Sequence, residues 1–167
     1  MLNYSGQNLT GKDFSNQDLT YANFDNANLT DANFNHATLT GASLIDANLT
    51  SANLSLTNSI SADFKNANLT NTNLTNATLT GATFIKTNLT GANLTDANLR
   101  GANFKNANLT NADLTGTNLT GANLKDSNLT NANLTNADLT ASNLNGANLT
   151  DTIFSNTAMP DGTIKNS

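Results

Sequence analysis

The side chains able to do chemistry in this 167-residue chain are few: one histidine, His36, twelve carboxylates and seven Lys or Arg residues, with no Cys and no Trp. All the carboxylates are Asp. A Ser-His-Asp centre would need His36 to meet a hydroxyl and an Asp in a pocket. One imidazole and no thiol give neither a nitrogen- or sulfur-rich metal site nor a disulfide framework. The ten glycines are scattered and form no phosphate loop. A formal net charge of −5 with seven basic residues argues against nucleic-acid binding. The expectation is a non-enzyme with no cofactor and no metal.

What must position these residues is a five-residue period. From Leu9 to Phe154 there are 30 large apolar centres spaced five apart, all Leu or Phe except Ser59. Two residues before each centre sits a small residue, Ala at 20 of the 27 positions from Ala22 to Thr152. A polar residue, mostly Asn, lies between. A helix would carry such a stripe around its surface, because its period is near 3.6. Asn, Thr, Asp and Gly are also weak helix formers. Small-in, polar-out, large-in is the alternation of a short strand. The two residues that follow then turn a corner. Strands this short cannot bury a face alone, so they must stack as a repeat.

A second period sets the size of one coil. Residues 10, 30, 50 and onward to 150 are all Thr, and residues 8, 28, 48 and onward to 148 are all Asn. Residues 25, 45, 65, 85, 105, 125 and 145 contain no Thr. Phe centres fall in two of four registers, Phe24, Phe64, Phe84 and Phe104 in one, Phe14, Phe34 and Phe154 in the other. Residues twenty apart therefore share an environment, and four pentapeptides make one four-sided coil. Leu69, Leu89 and Leu109 define one inner column, and Phe64, Phe84 and Phe104 another. The two Phe-bearing columns lie on opposite faces. Thirty pentapeptides make seven to eight coils, about 36 Å long at ~4.8 Å per strand spacing. No two Asp residues stand twenty apart, so no like-charged Asp pair stacks in one column, and no calcium cage is formed.

In this pattern the chain resembles the pentapeptide-repeat family, over roughly residues 5–159. The family pattern is a small residue, Asp or Asn, Leu or Phe, then two variable polar positions. The resemblance implies an all-β fold: a right-handed quadrilateral parallel β-helix of about seven to eight coils with a Leu/Phe/Ala core. The expected organisation is one domain over residues 1–167, with an N-terminal cap and first coil in 1–20, regular repeats in 21–157 and a C-terminal cap or tail in 158–167. Gln7, Lys12 and Gln17 stand at the small inward position of the first coil, where long polar side chains can cover a core and still reach water. Leu2 and Tyr4 are expected to fold over it. Met159 takes the last centre, and Pro160, the single proline, blocks a further strand. The Gln-Asn-Leu-Thr-Gly opening and Met-Pro-Asp-Gly-Thr-Ile ending are similar to cyanobacterial family members, implying a natural, complete bacterial chain.

One internal anomaly is Ser55-Leu56-Thr57-Asn58-Ser59-Ile60-Ser61, where the residue count holds but the centre is Ser. Either Leu56 or Ile60 swings inward through a bulge, or a small cavity lies beside Ser59. No basic segment leads into an apolar stretch in residues 1–10, and no apolar run reaches membrane length. The expectation is a cytoplasmic protein without membrane contact. The repeated Asn-Leu-Thr sequons are read as the repeat itself, not as glycosylation sites.

Charge singles out one face. Lys65, Lys86, Lys105 and Lys125 share it with Ile45 and Ile85, and with Asp25, Asp46, Asp63 and Asp126. It is either a solvated mixed-charge face or a site for a protein partner. The leading expectation is a structural or protein-interaction scaffold of unassigned role and open oligomeric state. The alternative, implied by the resemblance, is a DNA-mimic inhibitor of bacterial DNA gyrase. A third reading, less favoured, is ice binding by the Asn-x-Thr columns.

Overall fold

The structure is a computed structural model that describes residues 2–166. Met1 and Ser167, the outermost positions of the expected domain, lie outside the described residues. Parallel bridges join residues twenty apart on every side of the coil, from Asn3 with Asn23 to Asp138 with Ala158. The all-β solenoid with four pentapeptides per coil is therefore laid down by the backbone pairing as well as by the side-chain columns.

Each pentapeptide repeats one set of bonds. The Leu69 N–H donates to Asn88 O (2.7 Å) and the Asn88 N–H to Ala67 O (3.0 Å). The corner residue Asn71 donates to Thr90 O (3.0 Å), and the turn closes through the Thr72 N–H to Leu69 O (3.1 Å). The outward polar residue pairs back to the preceding coil, while the centre and corner N–H groups pair forward. Turns follow so closely that each side bridges through a single residue. Every fifth residue from Gly6 to Asn156 has φ between +50 and +72°. Positive φ at the third residue of a closed turn is the type II signature. Gly tolerates it, and Asn and Asp tolerate it better than other side chains, which explains their weight at the corners.

Leu, Phe and Ala line the interior in one continuous core from Phe14 to Phe154. Burying each Leu or Phe contributes about 1.5–3 kcal/mol. The Phe columns stack: Phe64, Phe84 and Phe104 have ring centroids 5.0 and 4.7 Å apart with nearly parallel planes. Phe14 stacks on Phe34 (5.0 Å) and meets Phe24 edge-on (5.5 Å). Where Thr takes the small position, its hydroxyl donates to a centre carbonyl, as from Thr87 to Phe64 O (2.7 Å) or from Thr117 to Leu114 O (2.7 Å).

At the first coil, Tyr4 takes the centre position one coil before Phe24 and stacks on it at 4.8 Å. Leu2 does not fold over the layer; it is 47% exposed, while its carbonyl accepts from the Asn23 N–H. Gln7 and Gln17 have a more specific role than covering the core. Their amides donate to Asn3 O (3.3 Å) and Asp13 O (3.5 Å), acceptors that a preceding coil would otherwise occupy.

At the other end the chain reverses. Strand β1 (Thr157–Ala158) pairs antiparallel with β2 (Ile164–Lys165), through a turn closed by the Gly162 N–H to Met159 O (2.8 Å). Pro160 ends the coil, yet the tail still adds this strand from the opposite direction. Lys165 Nζ lies 3.8 Å above the Phe154 ring and covers the last Phe.

The bulge expected at Ser59 does not form. Thr38, Asn58 and Thr78 bridge in unbroken register, and Leu56 and Ile60 point outward, 46% and 37% exposed. Ser59 keeps the centre position, fully buried, and donates to Thr57 Oγ1 (3.1 Å), which donates to Leu54 O (2.9 Å). A bulge would cost ladder bonds on both neighbouring coils, whereas a hydroxyl pair satisfies itself in place.

Candidate interaction face

Ile45, Lys65, Ile85, Lys105 and Lys125 occupy successive positions of one outward column, one coil apart. The backbone sets this up locally. The outward Asp63, Asn103 and Asn123 accept the N–H groups of Lys65 (2.9 Å), Lys105 (3.2 Å) and Lys125 (3.2 Å). Each lysine is thereby pinned at the turn and its ammonium left exposed. At Ile45 the acceptor is Asp25 of the preceding coil, which takes the Ile45 N–H (3.0 Å) and the Ser43 hydroxyl. Ile45 and Ile85 are half-buried. Lys86 is not in this column; it sits beside it at a corner with φ +58°, on the line that carries Asp46 and Asp126.

Lys105 and Lys125 stack directly. Among all the charged residues, only this pair places like charges twenty positions apart. Adjacent coils put their Cα atoms about 4.8 Å apart, where like charges destabilise a ladder. The signal was legible in the spacing of the lysines. The hydroxyl pair at Ser59 and the outward turn of Leu56 and Ile60 were not.

The Asn-x-Thr face is occupied by its own hydrogen bonds. Asn88 Nδ2 donates to Thr70 Oγ1 (3.0 Å) and Asn68 Oδ1 (3.4 Å). Asn88 Oδ1 accepts the Thr90 hydroxyl (2.7 Å) and N–H (3.2 Å). The same pattern runs from Asn8 to Thr150, so the threonine hydroxyl protons are directed along the face.

Four carboxylates are held below the usual Asp range. The Ser15 N–H does this for Asp13, and the Thr20, Thr140 and Thr163 hydroxyls do it for Asp18, Asp138 and Asp161. Hydrogen bonds to the ionised form favour it. His36 stands at an exposed corner with φ +58°. Among the described residues there is no pocket and no cluster of metal-ligating side chains. Among the same residues no helix is long and apolar enough to cross a membrane. One aromatic escaped the sequence reading: Tyr21 is 61% exposed at a corner, and its ring lies where a Cβ on Gly41 would be.

Comparison with known proteins places this geometry. A family model described as pentapeptide repeats matches residues 87–126 and 117–156, and one described as a pentapeptide repeat region matches residues 17–94. No curated protein matches the chain. Among solved structures, the chain is 47% identical to a pentapeptide repeat protein of the Arabidopsis thaliana thylakoid lumen, covering 59% of this chain and 69% of that one with a TM-score of 0.59. HetL, a pentapeptide repeat protein involved in heterocyst differentiation regulation in the cyanobacterium Nostoc sp. strain PCC 7120, is 29% identical with a TM-score of 0.53. That match covers 98% of this chain and 89% of HetL. QnrB1, a plasmid-mediated fluoroquinolone resistance protein, shares the fold at 22% identity and a TM-score of 0.67, over 90% of this chain and 88% of its own. With its period of five, its coil of twenty and these relatives, the chain belongs to the pentapeptide-repeat family.

Proposed function

We propose that this protein is a non-enzymatic scaffold, a right-handed quadrilateral β-helix that binds an acidic protein partner along the column of Ile45, Lys65, Ile85, Lys105 and Lys125. The observation that carries the reading is the stacked Lys105–Lys125 pair. A chain that spaces every other charge apart keeps one repulsive pair exposed on a line with two isoleucines. Carboxylates of a partner would offset that repulsion, and the half-buried isoleucines would add apolar contact. The family supports a scaffold role in general, and the partner's identity is open. The test is capture of the partner from the native host, repeated with K65E, K105E and K125E combined. The scaffold reading expects the partner to be lost with the triple variant while the rod stays folded. Undiminished capture would move the site to another face.

The second reading is inhibition of DNA gyrase by duplex mimicry. The net charge of −5 and the likeness of the rod to QnrB1 favour it. The lysine column interrupts the negative surface, which is why it stands second. A supercoiling assay with purified gyrase separates the two, since the scaffold reading expects full supercoiling at micromolar protein. Ice binding stands third, because the threonine hydroxyls already donate to asparagine; thermal hysteresis should be absent.

A further inference from the structure

We propose that Asn145 is a self-modifying site, where the backbone itself converts the side-chain amide to a carboxylate. Asn145-Gly146 is the one Asn-Gly pair in the chain. In this reaction the Gly146 nitrogen attacks Asn145 Cγ, and a C–N bond closes a five-membered succinimide. The Cγ–Nδ2 bond breaks, and ammonia leaves with the proton from the Gly146 nitrogen. One water then opens the ring at either carbonyl, giving aspartate or isoaspartate at position 145. No oxidant or reductant is consumed. A side chain on the following residue hinders the attack, and glycine has none.

The structure adds a reason that the dipeptide alone does not contain. The nucleophile is a corner N–H, and in earlier coils that group is engaged. Gly116 donates to Thr135 O (2.9 Å), Gly121 to Thr140 O (2.9 Å) and Asp126 to Asn145 O (2.9 Å). The Gly146 N–H has no acceptor among the described residues, and neither have the N–H groups of Leu144 and Leu149 that flank it. The chain that would form the next coil here is folded instead as β2 beneath β1. This stretch is held from one side only and opens more readily than an interior coil. The Asn145 amide is exposed and makes no hydrogen bond among the described residues, unlike the asparagines of the Asn-x-Thr ladder.

The Asp161-Gly162 pair offers a contrast. Its glycine N–H donates to Met159 O (2.8 Å), and Asp161 Oδ1 accepts the Thr163 N–H (3.0 Å) and hydroxyl (2.7 Å). Lys125 stands one coil before Asn145 in the same column, and the Asp126 carboxylate lies against Gly146. The new carboxylate therefore forms beside the stacked Lys105–Lys125 pair. It makes the net charge of −5 one unit more negative and places a neutralising group on the column of lysines.

The experiment is incubation of the whole protein at mildly alkaline pH, followed by peptide mass spectrometry that separates aspartate from isoaspartate. The expected result is a gain of one mass unit at Asn145, as a mixture of the two products. Gly146→Ala should lose most of that product; Ala141 already occupies a corner at φ +58°, and the flexible Asp126 carboxylate would turn aside from the new methyl group. A second variant isolates the structural part of the argument. Arg100→Asn places Asn before Gly101, whose N–H donates to Thr120 O (3.0 Å). In the folded protein that position should react more slowly than Asn145, and in urea the two should react alike. An unchanged Asn145, or equal rates at both positions in the folded protein, overturns the proposal. Neither outcome bears on whether the lysine column binds a partner.

Discussion

Ser59 shows how one residue is accommodated when the repeat around it will not move. Its hydroxyl needs a partner, and Thr57, at a position usually held by Ala, supplies one. Thr57 passes its own proton to Leu54 O, so both hydroxyls are satisfied, and the two leave less apolar surface buried than a Leu–Ala pair would. Replacing both, Thr57→Ala with Ser59→Leu, should stabilise the protein by about 1.5–3 kcal/mol, read as a shift in the urea midpoint. An unchanged or lowered midpoint would show that the inner column there has closed around the serine. The hydrogen-bonded aspartates belong to the same scale. Asp138 is ionised more readily in the folded chain because the Thr140 hydroxyl and N–H and the Thr120 hydroxyl donate to it. A lowered folded-state pKa contributes stability above the unfolded value, about 3.9, and loses it as pH falls through the folded value. Acid unfolding should therefore steepen below about pH 4. Asp138→Asn should flatten that slope, and an unaltered acid profile would remove Asp138 as a contributor.

The element of this fold is the corner, and its constraint is the left-handed residue repeated at every turn. Each non-glycine side chain there works against a penalty of about 1–2 kcal/mol, lessened for Asn and Asp. Leu56, at φ +59° and 46% exposed, lacks the relief that Asn or Asp has and is only partly compensated by burial. Leu56→Asn should raise stability by about 1 kcal/mol, checked by thermal or urea unfolding. A loss of stability would mean that Leu56 is packed against its neighbours more tightly than its exposure indicates. Corners also restrict each other along the rod. Tyr21 lies over Gly41, so a side chain there would have to displace the tyrosine ring in addition to adopting positive φ. The spacing of twenty makes the two residues neighbours, but only the structure shows that the Tyr21 ring lies across the Gly41 corner.

At the scale of the molecule, each coil is stabilised by the coils on both sides, and position along the rod sets the cost of an interior defect. Leu89 is enclosed from above and below, whereas Leu149 is half-buried at the last coil. Leu89→Ala should cost about 2–5 kcal/mol, and Leu149→Ala clearly less. Equal costs would indicate that the C-terminal coil is covered by another part of the molecule or by a second copy. The two ends are also closed by different means. Gln7 and Gln17 donate to carbonyls whose counterparts in later coils accept from the coil before, while the tail turns back and lays β2 and Lys165 across the last Phe.

The sequence by itself determined the coil. Position within a five-residue unit decides burial, and position within twenty decides the neighbour, so Leu89, Phe84 and the lysine column could be placed from spacing alone. That holds because every coil meets a copy of itself, and local pattern and tertiary contact become the same information. Only the tertiary structure decided what happens where the copies differ or stop. Ser59 kept its register because the ladder on both sides outweighed one missing side chain. The tail became an antiparallel strand because groups facing beyond the last coil needed partners, as the Met159 N–H does in donating to Thr163 O (2.7 Å). The Gly146 N–H was left without an acceptor among the described residues for the related reason that the tail went elsewhere.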